Sequence, residues 1–204
     1  MNRELIQEQA KKIAPLATEW RRHIHAHPEL SYQEFETCAF VQARLSEMGI
    51  RHEVIATTGV VGIIEGKDPQ SRIIALRADM DALPILEEND LPYKSTKPGI
   101  MHACGHDGHT AMLIGAARYL AETRQFDGTA VLIFQPGEEG YAGARAMMQD
   151  GLFDRFPCEQ VYAQHNSPDT PLGVIGVTPG PMQAAADTIR IHITGKGGHG
   201  AMPH

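Results

Sequence analysis

Three cysteines in a chain of 204 residues, at positions 38, 104 and 158, are an odd number and widely spaced, so they build no disulfide framework and fit a reducing compartment best. No run of apolar residues is long enough to cross a bilayer, which excludes a membrane-spanning helix. Positive charge is also short. With 18 Lys and Arg against 25 Asp and Glu the formal net charge is −7, which leaves no basic surface for a phosphate backbone, and nucleic acid is not expected as a partner. The opening residues, Met-Asn-Arg-Glu-Leu-Ile-Gln-Glu-Gln-Ala, lack an apolar stretch, so neither export nor lipidation is signalled and a cytoplasmic location is expected. Internal repeats and low-complexity linkers are missing too. What is there is ordinary for a folded domain, 42% hydrophobic and 21% charged, with enough chain for one sizeable core or for one domain and part of another.

Apolar residues at Ile6, Ala10, Ile13, Ala17, Trp20 and Ile24 fall at helical spacing and predict an amphipathic helix over Arg3 to His27, stopped by Pro28 and kinked or split at Pro15. A second helix is predicted from about Tyr32 to Met48, with Phe35, Ala39, Leu45 and Met48 inward and Gly49 as its C-terminal cap. His23, His25 and His27 sit between the two without an acidic or Cys partner at ligand spacing, and read as structural. Short β-rich runs follow at Glu53 to Ala56, Val60 to Glu65 and Arg72 to Ala78. Beyond them come a helix from His109 or Thr110 to about Thr123, an apolar strand at Gly128 to Phe134, a helix at Ala142 to Asp150 and a short strand at Gln160 to Ala163. Strands alternating with helices predict an α/β sheet with parallel members. Near Pro179-Gly180-Pro181 the punctuation suggests a boundary, and Asp187 to Thr194 alternates as a half-exposed strand should. A lone strand cannot bury its face, so the chain is expected to be a truncated form of a longer protein.

Chemistry concentrates at Met101 to Thr110, Met-His-Ala-Cys-Gly-His-Asp-Gly-His-Thr. Cys and His suit a borderline-soft divalent ion, and Cys104 and His106 would point the same way on an extended segment. Taken alone, the cluster could equally be a small core thiol and a solvated loop. Ligands in open α/β sheets bind at the carboxyl ends of strands. Polar residues placed there are Asp79 and Asp81, the Cys104–Asp107 stretch, Glu138 and Glu139, and His165. Neighbouring residues on a turning backbone diverge, so one of Glu138 and Glu139 can ligate metal while the other stays free as a general base toward a water that the ion acidifies. The bland alternative is two solvated glutamates at a helix N-terminus. Cys38 and Cys158 read as packing residues, and His102 and His109 as residues that tune or cap rather than coordinate. Asp81 and Asp107 are candidate anchors for the second nitrogen of ligating histidines, although either could bind metal instead.

Five motifs in succession, His27-Pro28-Glu29-Leu30, Leu76 to Pro84 (Leu-Arg-Ala-Asp-Met-Asp-Ala-Leu-Pro), Met101 to Asp107, Gln135 to Gly140 (Gln-Pro-Gly-Glu-Glu-Gly) and Gly197-Gly198-His199, resemble the di-metal amidohydrolases that include hippurate hydrolase, bacterial N-acyl-amino-acid amidohydrolases and plant auxin-conjugate hydrolases. The resemblance covers essentially the whole chain. It implies a three-layer α/β catalytic domain with a mixed, largely parallel sheet flanked by helices, of which residues 1–183 form the N-terminal part, and a truncated α+β lid or dimerisation domain beginning over residues 184–204. It further implies Cys104, His106, Glu139 and His165 as metal ligands, Glu138 as catalytic base, and His199 as a lid residue that contacts substrate or the developing oxyanion. Two divalent ions (zinc, manganese, cobalt or nickel), a small N-acyl amino acid substrate and a homodimer formed through the lid are its remaining implications. One more histidine ligand would lie beyond this chain, so these 204 residues alone are expected to be inactive or nearly so. The rivals are a cysteine hydrolase using Cys104 with His106 or His165, and a non-catalytic metal-binding remnant. A zinc nucleobase deaminase is weaker, because Pro157-Cys158-Glu159-Gln160-Val161 lacks a second cysteine.

Overall fold

Helix α1 (Arg3–Ala26) buries Ile13, Trp20 and Ile24, the stripe that the spacing predicts, together with His25. Pro15 neither splits it nor ends it. The carbonyl that a proline leaves without its N–H partner belongs to Lys11, and both residues lie on the exposed face, where water can take the bond. In this computed structural model the described residues are 3–185, 187 and 189–202, and they divide into two units, Met1–Asn166 and Ser167–His204.

Helix α2 (Phe35–Glu47) starts later than its apolar pattern suggests and is turned differently: Thr37, Cys38, Val41 and Leu45 are buried, whereas Ala39 is exposed and Phe35 is 60% exposed. Cys38, Val41 and Leu45 form the stripe that the core takes, and a polar contact holds the first turn. The buried carboxylate of Glu29 accepts from the backbone N–H groups of Glu36 and Thr37 at 3.1 and 2.9 Å and clamps the first turn. At the other end Gly49 has φ +66°, its N–H donates to Ser46 O, and the N–H of Ile50 donates to Leu45 O, both at 2.9 Å. This pair of hydrogen bonds is the Schellman termination expected of a glycine there.

Strands β1 (Arg51–Ile55) and β2 (Gly59–Glu65) form an antiparallel hairpin, followed by β3 (Ile73–Asp79), helix α3 (His106–Thr123), β4 (Thr129–Gln135), helices α4 (Gly143–Gln149) and α5 (Leu152–Arg155), and β5 (Gln160–Ala163). The sheet order is β1-β2-β4-β3-β5, with β2 antiparallel to β4 while β3 runs parallel to both β4 and β5. Only β2 therefore opposes the common direction. Strand β4 is buried along its whole length, with Ala130, Leu132 and Phe134 in the core beneath α1, α2 and α3, and Val131 and Ile133 in a second core with Met147 and Leu152. Alternation along one central strand thus makes three layers. Cys38 is buried in the first core and Cys158 packs against the second. Because Asp79 pairs with Gln135 and Arg77 with Ala163, the carboxyl ends of β3, β4 and β5 open on one edge of the sheet.

Among its described residues the second unit has no helix or paired strand. The alternating stretch Asp187 to Thr194 forms none either: Ile189, Ile191 and Ile193 are all exposed, and Thr188 lies outside the described residues. A single strand has no neighbour to complete its ladder.

Candidate metal centre

Gly105 decides how the Cys-His cluster is presented. Its φ of +102° ends the incoming loop, and α3 begins immediately after it, at His106 rather than at His109 or Thr110 as the pattern suggests. Cys104 and His106 are therefore not side by side on an extended segment; they converge across a turn. A Cβ at position 105 would come within 2.5 Å of Asn166 Oδ1, so only glycine permits this approach. Three elements then deliver the other groups: β3 ends in Asp79 and leads to Asp81, β4 leads to Glu138 and Glu139, and β5 leads to His165 and Asn166.

His106 is fully buried and its two nitrogens are treated differently. Nδ1 lies 2.8 Å from the backbone carbonyl of Asp81, which can only accept, so Nδ1 carries the proton and donates. Nε2 has no hydrogen-bond partner at all. Around it stand Asp79 Oδ2 at 3.6 Å, Glu139 Oε1 at 3.8 Å and Glu138 Oε2 at 4.0 Å, all too far for a hydrogen bond. Glu139 Oε1 is likewise buried without a partner. Donor atoms that share one divalent ion at ~2.0–2.3 Å each lie on the order of 3–4 Å apart, so the spacing fits a cation among them. Burial works against a charge on His106, but Asp81 and then Asp79 push its pKa up, a sign of how negative the surroundings are.

His165 shows the same polarity. Its Nδ1 donates to Asn166 O at 2.7 Å, and Nε2 faces Cys104 Sγ at 3.4 Å. Cys104, His106 and His165 can bring one ligand atom each within 4.8 Å of one another, as can His106, Glu138 and Glu139. Burial, then the nearby Glu139 carboxylate, pushes the Cys104 thiol up to about 12. That is the opposite of an activated nucleophile, whose pKa is depressed by a positive neighbour. A bound divalent cation would reverse the balance and favour thiolate. Glu138 is half-exposed, and burial followed by the Glu139 and Asp79 carboxylates raises its pKa.

His109 belongs to a different class. Nδ1 lies 2.6 Å from Asp79 Oδ1, and Nε2 lies 2.6 Å from Asn166 Oδ1 and 3.1 Å from the Asn166 backbone N, so both nitrogens have partners, although His109 can also bring a ligand atom within 4.8 Å of those of Asp79 and His106. Asp79 also pairs with Arg77 at 2.7 Å; although burial opposes its charge, the His109 bond and neighbouring cations hold it down to about 2. Asp107 does not anchor a histidine of the cluster. Its Oδ2 accepts from Arg21 Nε at 3.0 Å and lies 2.9 Å from His25 Nδ1, on the far side of the α3 N-terminus. Asp81 alone of the two expected anchors reaches His106. His199 lies in the second unit, where its Nδ1 accepts from the N–H of Ala201 in a local turn.

Several polar residues here were not singled out by the sequence reading. Asn166 orients both His109 and His165, yet a lone asparagine after a strand carries no signal. Glu87 meets His25 at 3.1 Å from 62 residues away in sequence, beyond any local spacing rule. Glu34 is completely buried and reaches the glutamate loop.

The pattern of peptidase family M20/M25/M40 matches residues 75–203. The chain is 49% identical over 186 residues to the N-acetyl-L-cysteine deacetylase of Bacillus subtilis, covering 90% of this chain and 44% of that protein. It is 47% identical over 184 residues to the hippurate hydrolase of Campylobacter jejuni, covering 90% of this chain and 48% of that one. Among solved structures, a Bacillus subtilis protein described as a dinuclear metal binding peptidase of the M20 family superposes with a TM-score of 0.79 at 43% identity, over 84% of this chain and 48% of that chain. The chain spans about half the length of the relatives it matches.

Proposed function

This chain belongs to peptidase family M20/M25/M40, and on that premise we propose that the complete protein carrying it hydrolyses the amide bond of N-acyl amino acids or related conjugates. The observation that carries the reading is the buried, unpartnered Nε2 of His106 ringed by carboxylate oxygens beside the Cys104–His165 pair. Cys104, His106, Glu139 and His165 would hold the divalent ions, with one further histidine expected from outside this chain. When bound, two such ions supply Lewis-acid polarisation of the acyl carbonyl and acidify water. Glu138 takes the proton of the attacking water and returns it to the departing amine nitrogen. Its partly exposed position and raised pKa suit both halves of that task. N-acetyl-L-cysteine and hippurate, named for two relatives, are both amino acids acylated on nitrogen, which supports this substrate class.

His199, from the segment assigned to a lid over residues 184–204, is proposed to meet the substrate or its oxyanion, and the lid to serve as a homodimer contact. The 204-residue chain by itself, short of one ligand, is expected to turn over little or nothing. A cysteine-hydrolase reading is disfavoured by the Cys104 thiol at about 12. The decisive variant is Glu138→Gln in the complete protein: turnover of an N-acyl amino acid is expected to fall by ~10² to 10⁴ with metal content unchanged. Parental turnover in that variant would sink the assignment, and bound metal without hydrolysis in the parent would favour a non-catalytic metal-binding protein.

A further inference from the structure

We propose that the turn Ser31–Glu34 is a positioning element for the glutamate loop, in which Tyr32 and Glu34 fix the directions in which Glu138 and Glu139 project. The inference rests on the reading of Glu138 as base and Glu139 as ion ligand. Those two neighbours must diverge, yet residues 136–142 lie in neither helix nor strand. The loop folds tightly through Gly137 (φ +54°), Gly140 (φ +84°) and Ala142 (φ +55°), closed by Gly143 N–H to Gly137 O at 2.9 Å. Without a ladder, its orientation depends on tethers from outside.

The tethers lead back to one short stretch. Gly137 N–H donates to Glu34 Oε1 at 2.9 Å. Tyr32 O–H donates to the carbonyl of Tyr141 at 3.1 Å, so the two bonds grip both shoulders of the loop. The Tyr32 ring lies so close to Gly137 that a Cβ there would come within 3.0 Å of it. A third tether, Glu139 N–H to Asp81 Oδ2 at 3.0 Å, ends on an oxygen that Ser31 also holds, at 2.7 Å.

Two features show that Ser31–Glu34 is not merely a linker between helices. Glu34 occupies the N-cap position of α2 but makes no capping bond; Glu29 performs that task, and Glu34 turns its fully buried carboxylate to the loop, with Thr58 Oγ1 on its other oxygen at 2.6 Å. Tyr32 has φ +60°, a left-handed conformation that a bulky residue seldom adopts. Held strain of this kind points to a geometric demand. A displacement of about 1 Å at reacting groups costs ~100-fold in rate, which is reason enough for so many tethers.

The test is made on the complete protein with Glu34→Ala, Glu34→Gln and Tyr32→Phe, each checked for folding by circular dichroism. For Glu34→Ala, kcat is expected to fall about 10- to 100-fold with KM changed less than about threefold, and Mn²⁺ titrated calorimetrically into metal-stripped protein should bind about tenfold more weakly. Glu34→Gln keeps an oxygen for Gly137 N–H and should return kcat to within about threefold of the parent. A folded Glu34→Ala protein with parental kcat and Mn²⁺ affinity overturns the proposal, as does a loss that Gln does not restore. Should Glu34→Ala fail to fold, Tyr32→Phe decides: a kcat loss of about fivefold or more supports the proposal and parental kcat refutes it. Failure here is distinct from failure of the functional reading, because the latter would show as parental turnover in Glu138→Gln.

Discussion

His25 and His106 are both buried and both face carboxylates, yet they are built for different ends. His25 has a carboxylate oxygen within hydrogen-bond reach of each nitrogen, Asp107 at 2.9 Å and Glu87 at 3.1 Å. His106 spends one nitrogen on the carbonyl of Asp81 and keeps the other unpartnered, with three carboxylate oxygens at 3.6 to 4.0 Å. The first uses both ring nitrogens and ties the N-terminus of α3 to α1 and to the loop at Glu87, while Asp107 Oδ1 is left without a partner. The second is an open network, in which the unmet nitrogen stands among surplus negative charge, the setting proposed above for a cation. Buried polar groups are normally satisfied; Arg44 Nε, both His102 nitrogens and Asp107 Oδ1 are unmet as well, and the pair that points to the cluster is His106 Nε2 and Glu139 Oε1, 3.8 Å apart.

The contrast can be broken most forcefully at His106. In the complete protein, His106→Ala should weaken Mn²⁺ binding by more than the ~10- to 100-fold typical of losing an outer partner, read by calorimetric titration. Unchanged affinity would show that the open nitrogen does not ligate. His25→Ala should do the reverse: Mn²⁺ affinity stays within about threefold, while urea unfolding shows a loss on the order of 2 kcal/mol as Asp107 and Glu87 each lose one buried partner. A metal defect without a stability defect would erase the distinction between the two histidines.

The smallest effect is a matter of pH. The Asp107 bond, outweighing burial, raises the His25 pKa, with Glu87 adding to it. Protonated His25 donates to both carboxylates, and the neutral ring can donate to only one. A raised folded-state pKa means that the extra stability is fully present below the unfolded value of about 6.5 and is lost as pH rises through the folded value. The parent should therefore lose stability across that window more steeply than His25→Gln. Parallel pH profiles of unfolding free energy would remove His25 from the explanation.

How far the sequence could see depends on the range of the interaction. Gly49 ending α2, the strand at Gln160–Ala163 and the stripe Ile13, Trp20 and Ile24 are local matters of backbone conformation and period, and all are legible. Phe35 misleads because the core takes another apolar stripe of the same helix, Cys38, Val41 and Leu45, with Glu29 clamping the first turn. Asp107 misleads for a different reason: two residues past Gly105 on a new helix it faces α1 and meets His25. The five motifs identify the residue types of a metal centre, and the glutamate loop is visible within them, but Glu34, Asn166 and Glu87 belong to no pattern of their own.

By itself the sequence determined the α/β class, most of the elements, and which short polar stretches fall beyond strand ends. Local propensity and hydrophobic period act over a few residues, and those features need nothing more. Only the tertiary structure decided which polar groups complete one another. Hydrogen bonds and ion pairs between His25 and Asp107, Glu34 and Gly137, or His106 and Asp81 join residues 25 to 103 positions apart. At such separations a partner is chosen by where the sheet and helices place it, and the same placement leaves His106 Nε2 and Glu139 Oε1 without one.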